Sequence, residues 1–218
     1  MTTISQVVQD LIDRSPFLSE VLYADMVNIS GVARQLRPQI EKKLLEEISE
    51  EAVAMALHRI KRKLKPPTSN VEVLKDSKNI TVRSNLVEFM FLNSPSVINI
   101  HQEILKKTEN KKDTFFNISV GLTEATIIVS SELEKDVEKI LKNQKNVVKV
   151  KDLSSITIKL STKMTLTSPP DVYYLILKAL AWNGIGVIEV ISIGWELNMF
   201  FMNTDVDQAF SVIKSITS

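Results

Sequence analysis

Ile4, Val7, Val8, Leu11 and Ile12 recur at the i, i+3, i+4, i+7, i+8 spacing of one buried helical face. Thr3 and Gln6 stand where a capping box would open that helix. Helical periodicity then persists to residue 65. Ser15-Pro16 reads as an N-cap and first helical position, with Phe17, Val21 and Leu22 inward. Asn28 caps a helix with Ile29, Val32, Ala33 and Leu36 on one stripe, and Pro38 is expected to start another carrying Ile40, Leu44 and Leu45. Ser49 caps the last and longest, whose apolar face is Val53, Ala56, Leu57, Ile60 and Leu64. The stretch "LKPPTSN" (64–70) combines two prolines with small polar residues, which stops the helix and makes a linker.

The period then changes. Ile80 and Val82 alternate with polar residues, as do Val87, Phe89 and Phe91, so both stretches read as strands. "SPSVINIHQEILKKT" is a helix with Val97, Ile100, Ile104 and Leu105 inward. "TFFNISVGL" and "EATIIVS" are strands, "SELEKDVEKILKN" is a helix capped by Ser131, and "NVVKV" is a closing strand. The order then restarts: the strand "SSITIKLS", the helix "SPPDVYYLILKALAWNG", the strands "GVIEVIS" and "WELNMFFM", and the helix "TDVDQAFSVIKSI".

This is an internal repeat. Glu124 lies 72 places before Glu196, and the same offset pairs Val129 with Phe201 and Val137 with Ala209. The first copy reads βαββαβ; the second stops before its last strand. That order predicts an α+β fold: an N-terminal all-α helical domain followed by two ferredoxin-like units, each with two helices on one face of an antiparallel sheet. A copy lacking a strand leaves an open edge. "NITVRS" (79–84) either fills that gap or forms a hairpin with the strand from Leu86, turning at Ser84-Asn85.

Within "LKALAWNGIGVIEVIS", helical spacing ends at Trp182 and strand alternation begins after Gly184. Asn183 and Gly184 tolerate positive φ and suit a helix C-cap. The run from Pro170 through "ALAWNGIGVIEVIS" to the final helix resembles the ACT domain, the small-molecule sensing module of aspartokinases and other amino-acid-pathway proteins. The tandem arrangement resembles the aspartokinase regulatory half. The resemblance divides the chain into a helical domain (1–65), a linker (66–78), a first ACT-like unit (79–151) and a second (152–218). It implies a homodimer through these units, with an amino-acid effector at an interface. The corresponding ligand-binding positions are Ser168 and Asp171 at the loop and helix start, then Gly186, Val187 and Ser192. A helix N-terminus presents free N–H groups to a carboxylate. The family usually has glycine in the loop before the first helix; here Pro169-Pro170 stands in one copy and Ser94-Pro95-Ser96 in the other.

The stretch 28–65 resembles a helix-turn-helix arrangement. Arg59, Lys61, Arg62, Lys63 and Lys65 lie at the end of its longer helix, where they are expected to meet DNA phosphates. Yet residues 1–65 hold ten Lys/Arg against nine Asp/Glu, and basic residues also suit a helix C-terminus electrostatically. The whole chain, at 218 residues and a formal charge of +1, has no global pull toward nucleic acid or anionic membrane.

Composition narrows the chemistry further. There is no cysteine, so thiolate metal sites and cysteine nucleophiles are excluded. Five glycines stand where average usage gives about 15, and no Walker or GxGxxG loop is present. Both histidines, His58 and His101, sit in expected helices without a Ser/Asp constellation. Catalytic residues, metals and cofactors are therefore not expected. Trp182 and Trp195 flank the corner as core or dimer-contact residues. The start lacks a secretory pattern, and no apolar run reaches the roughly 20 residues of a membrane span, so a cytoplasmic protein is expected. The reading is a non-enzymatic regulatory protein sensing an amino acid or related small molecule. The alternatives are a DNA-binding transcriptional regulator whose ACT-like part mainly dimerises, and an interaction module for an amino-acid-pathway enzyme.

Overall fold

The computed structural model describes residues 2–64, 74, 79–109, 111, 113–160 and 171–217, with backbone alone at 16 and 171. The chain divides into two compact units, 1–69 and 70–218. No helix among the described residues is long and apolar enough to cross a membrane.

The first unit is helical: α1 (Ile4–Asp13), α2 (Pro16–Tyr23), α3 (Ile29–Leu44) and α4 (Glu50–Lys61). Each start is fixed by a local hydrogen bond. The Gln6 N–H donates to Thr3 Oγ1 at 3.3 Å while the Thr3 N–H donates to Gln6 Oε1 at 2.8 Å, a full capping box. Ser15, Asn28 and Ser49 side chains accept from the first turns of α2, α3 and α4. Val8, Ile12, Leu22, Ala33, Ile40, Val53 and Leu57 form the centre of one core.

Three local expectations fail here. Pro38 does not start a helix; it lies inside α3, the longest helix of the unit at 16 residues. Interior proline costs about 3 kcal/mol. Ala33 and Ile40, on either side of it, are both fully buried, and their shared core offsets that cost. Leu45 is not inward: it takes the left-handed C-cap of α3 at φ 57° and is 91% exposed. Phe17 is also turned out, and Leu22 takes the inward place on α2.

The described residues of the second unit form one six-stranded antiparallel sheet with helices. In chain order it runs β1 (Asn79–Leu92), α5 (Val97–Thr108), β2 (Phe116–Val120), β3 (Glu124–Ser130), α6 (Glu134–Ile140), β4 (Val148–Lys159), α7 (Asp171–Trp182), β5 (Glu189–Ile193), β6 (Glu196–Met202) and α8 (Val206–Thr217). The sheet order is β2-β3-β1-β4-β6-β5. Ser131 does not cap α6 with its side chain; a 3-10 turn over Ser131–Leu133 leads into it.

β1 and β4 each serve both halves of this sheet. Leu86–Leu92 pairs with β3, while Asn79–Arg83 pairs with Ser155–Lys159 of β4. Met90 and Glu88 pair with Val148 and Val150, at the other end of β4. "NITVRS" is thus continuous with the strand after it, and no hairpin forms at Ser84-Asn85. Instead the ladder shifts register there, with Asn85 at φ 61°; Asp152 sits at φ 57° where β4 shifts against it. Each shift inserts a residue and so corrects the alternation. Ile80 and Val82 face the same side as Val87 and Phe89 despite the odd spacing, and the helices cover that side of both halves.

Two cores result. One packs Val97, Ile104, Leu133 and Val137 on Phe89, Phe91 and Ile127. The other packs Val172, Ile176, Ala209 and Ile213 on Ile156, Ile158 and Met199. Leu105, expected inward, is 43% exposed. The helix-free side is curled. Phe115, just before β2, meets Phe200 of β6 with ring centroids 5.9 Å apart. A flat sheet would separate those strands by four spacings, about 19 Å. Leu86, Ile128, Leu153 and Phe200 are buried inside the curl.

Candidate functional site

The corner after α7 closes as a Schellman motif. The Gly184 N–H donates to the Ala181 carbonyl and the Ile185 N–H to the Leu180 carbonyl, both at 3.0 Å, with Gly184 at φ 71°. Asn183 Nδ2 adds a bond to the Ala179 carbonyl at 2.8 Å. Ile185 is buried, and the chain leaves the corner as β5, which among the described residues pairs only with β6 and forms an edge of the sheet. Trp195 packs against the core, whereas Trp182 is 80% exposed.

The ligand positions inferred from the sequence fall into two places. Asp171 opens α7, and Ser192 lies near the far end of β5. Tyr173, in the first turn of α7, joins them: its hydroxyl and Ser192 Oγ are 2.8 Å apart. Tyr173 was not singled out from the sequence; its hydroxyl near a helix start beside polar loop residues was the available signal. Gly186 and Val187 instead follow the C-terminal end of α7. A 12-residue helix is about 18 Å long, so one chain does not gather the set at one point. Gly186 is exposed with nothing within 4 Å of where a Cβ would sit; Val187 packs partly on the core. Ser168, Pro169 and Pro170 lie outside the described residues.

In the first half, the equivalent loop is tied down by its own side chains. Ser94 and Ser96 hydroxyl oxygens are 2.7 Å apart, and Gln144 Nε2 donates to Ser96 Oγ at 3.0 Å. Nearby, Lys149 and Lys151 both hold Glu134, whose carboxyl is pushed down by those two hydrogen bonds. His101 packs beside Phe116, with ring centroids 5.6 Å apart and the planes tilted by 34°. Among the described residues no three His, Cys, Asp or Glu gather to hold a metal.

The basic end of α4 is less free than its sequence implies. Lys61 forms an ion pair with Asp25. Arg59, Arg62 and Lys63 are exposed, and Lys65 lies outside the described residues. Elsewhere in the unit Arg34 pairs with Glu50 at 3.1 Å and Arg37 with Glu41 at 3.5 Å.

No known family profile matches the sequence, and no curated protein does. Solved structures do match. An aspartate kinase from Clostridium acetobutylicum superposes with a TM-score of 0.52 at 12% identity, covering 64% of this chain and 34% of that one. The ligand-free regulatory subunit of aspartate kinase from Thermus thermophilus gives 0.51 at 10% identity, covering 64% and 97%. The aspartate kinase from Synechocystis gives 0.51 at 14% identity, covering 77% and 31%. This chain therefore spans about a third of the length of those two kinases and nearly all of the regulatory subunit. At these identities the likeness is one of fold.

Proposed function

We infer that this chain is a non-catalytic regulatory protein, with residues 79–151 and 152–218 acting as two ACT-like units of ferredoxin-like strand order. One observation carries the reading: two long strands each serve both halves of a sheet ordered β2-β3-β1-β4-β6-β5, with the helices on one side. A fold similar to a regulatory subunit over 97% of its length supports it. That match takes in 64% of 218 residues, about 140, which is twice what the helical unit holds, so it must draw on the sheet unit. The 72-residue spacing of β3 from β6, and of α6 from α8, supports two copies.

The ligand is an amino acid or related small molecule, and the site is completed by a second copy. Among the described residues β5 is an open edge, with Val190 and Ile193 exposed. Antiparallel addition of a second β5 across it carries the second copy's strand start toward the Ser192 end of the first. Gly186 and Val187 of one copy then approach Asp171, Tyr173 and Ser192 of the other. Calorimetric titration with each common amino acid, alongside sedimentation, tests this. Saturable binding by a dimer is expected, weakened by Ser192→Ala and Asp171→Asn. A monomer at all concentrations, or no heat from any amino acid at millimolar concentration, refutes it.

A second reading has the helical unit bind DNA through Arg59, Arg62 and Lys63, which are exposed, with Lys65 following them in the sequence. Affinity should then fall with salt at a log–log slope of about −0.9 per phosphate neutralised. Retention unchanged by Arg62→Ala with Lys63→Ala removes this reading.

A further inference from the structure

Glu88 is the one residue among the described ones whose buried carboxylate oxygens have no hydrogen-bond partner. It lies on β1 facing the helix-free side, next to Leu86, and is 1% exposed. An unpaired carboxylate buried in this way is costly when ionised and tolerable when protonated. The curl explains how it came to be covered. The register puts Glu189 of β5 on the same side, since Glu189 pairs with Phe200. β1 and β5 are three places apart in the sheet, yet both carboxyls lie on the inner face of the curl, and the Glu189 charge raises the Glu88 carboxyl.

Among the described residues, the other charges on this side do not neutralise the pair. Arg83, earlier on β1, donates to the Asp113 carbonyl at 2.5 Å and lies over the Phe115 ring, 5.9 Å from its centroid. Glu124 begins β3 and Glu196 begins β6, so both sit at strand ends. On β4, Lys159 is nine residues beyond Val150, which pairs with Glu88. Lys149 and Lys151 face the opposite side, where Glu134 holds them. β2 presents only Asn117 and Ser119. A resident divalent ion is disfavoured, because such ions take six to eight oxygens and no three acidic or histidine ligands gather among the described residues.

We propose that Glu88 and Glu189 form a pH-operated latch on the curled sheet, closed over Leu86, Ile128, Leu153 and Phe200 while Glu88 is protonated and released when Glu88 ionises. Burial first, and then the Glu189 charge, hold the Glu88 carboxyl above its ordinary range; burial does the same to Glu189. The sign follows. Closure is fully favoured below the ordinary carboxylate range and is lost as pH rises through the raised value. Opening separates β5–β6 from β1 across the curl and bares its apolar lining.

The test is amide exchange on the full chain from pH 4 to 9, read as protection factors so that intrinsic exchange is removed. Protection in β5 and β6 should fall about tenfold per pH unit through the step. Binding of a hydrophobic dye should rise over the same range. Glu88→Gln should shrink the step to the smaller part that the buried Glu189 carries, and Glu88→Gln combined with Glu189→Gln should abolish it. Glu189→Gln should leave a step displaced to lower pH, because the repelling charge is gone; this also serves if Glu88→Gln fails to fold. Glu124→Gln should change nothing. A step of undiminished size in Glu88→Gln, the absence of any step in the wild type, or a step moved by millimolar calcium or magnesium overturns the latch.

Discussion

Ile127→Ala tests whether the two halves of the sheet stand or fall together. Ile127 is fully buried on β3, between Phe89 of β1 and Ile118 of β2, in the core of the first half. Truncating a buried isoleucine to alanine costs about 2–5 kcal/mol. At a mid-range cost of about 3 kcal/mol, a unit of this size should lose about 6–12 °C in Tm. Both tryptophans, Trp182 and Trp195, lie in the other half. Trp195 packs on the second core, so in a Trp182→Phe background its fluorescence reports that half alone. β1 and β4 pair in both halves, so loosening one should release the other. The Trp195 transition should therefore drop by the full amount and coincide with loss of amide protection in β2 and β3. A Trp195 transition that stays in place while β2 and β3 unfold earlier would refute the shared-strand coupling.

Pro38→Ala should stabilise the helical unit by about 1–3 kcal/mol, because Pro38 is exposed and interior to α3; a thermal melt of the full chain checks this. Gly184→Ala should destabilise by about 1 kcal/mol through φ 71° alone, since nothing lies within 4 Å of the added Cβ; a urea midpoint reads it. Glu134→Gln should cost under about 1 kcal/mol at neutral pH, since these ion pairs are partly exposed. Its folded carboxyl is held low by Lys151 and Lys149, so the wild-type advantage is present above the ordinary carboxylate range. It disappears in strong acid, which pH-dependent melts would show.

The legible features share a short reach. Thr3 with Gln6, Ser15 with Pro16, and Asn28 and Ser49 before apolar stripes each declare a helix start within four residues. Gly184 after a helical stripe declares its end. Pro38 misled because a proline's local cost says nothing of the core on either side. Ser84-Asn85 misled for a related reason. A positive-φ asparagine serves a turn or a bulge equally well, and the choice rests on what lies alongside. For the candidate site, the sequence offers a helix start at Asp171 and a strand after Gly184 as places where ligand positions would lie. That Tyr173 joins Asp171's turn to Ser192, while Gly186 and Val187 sit at the other end of α7, depends on how the helix lies along β5.

By itself the sequence determined the type and order of the elements, because caps, turns and periodicity are settled by hydrogen bonds and side-chain spacing over a few residues. Only the tertiary structure decided that two pairs of expected strands would merge into β1 and β4, since Asn79–Arg83 finds its partner some 75 residues away. It also decided the environment of Glu88, which alternates with Val87 and Phe89 like any solvent-facing polar residue. The curl that buries it comes from strands β2, β5 and β6 closing around the same face, and nothing within β1 encodes that.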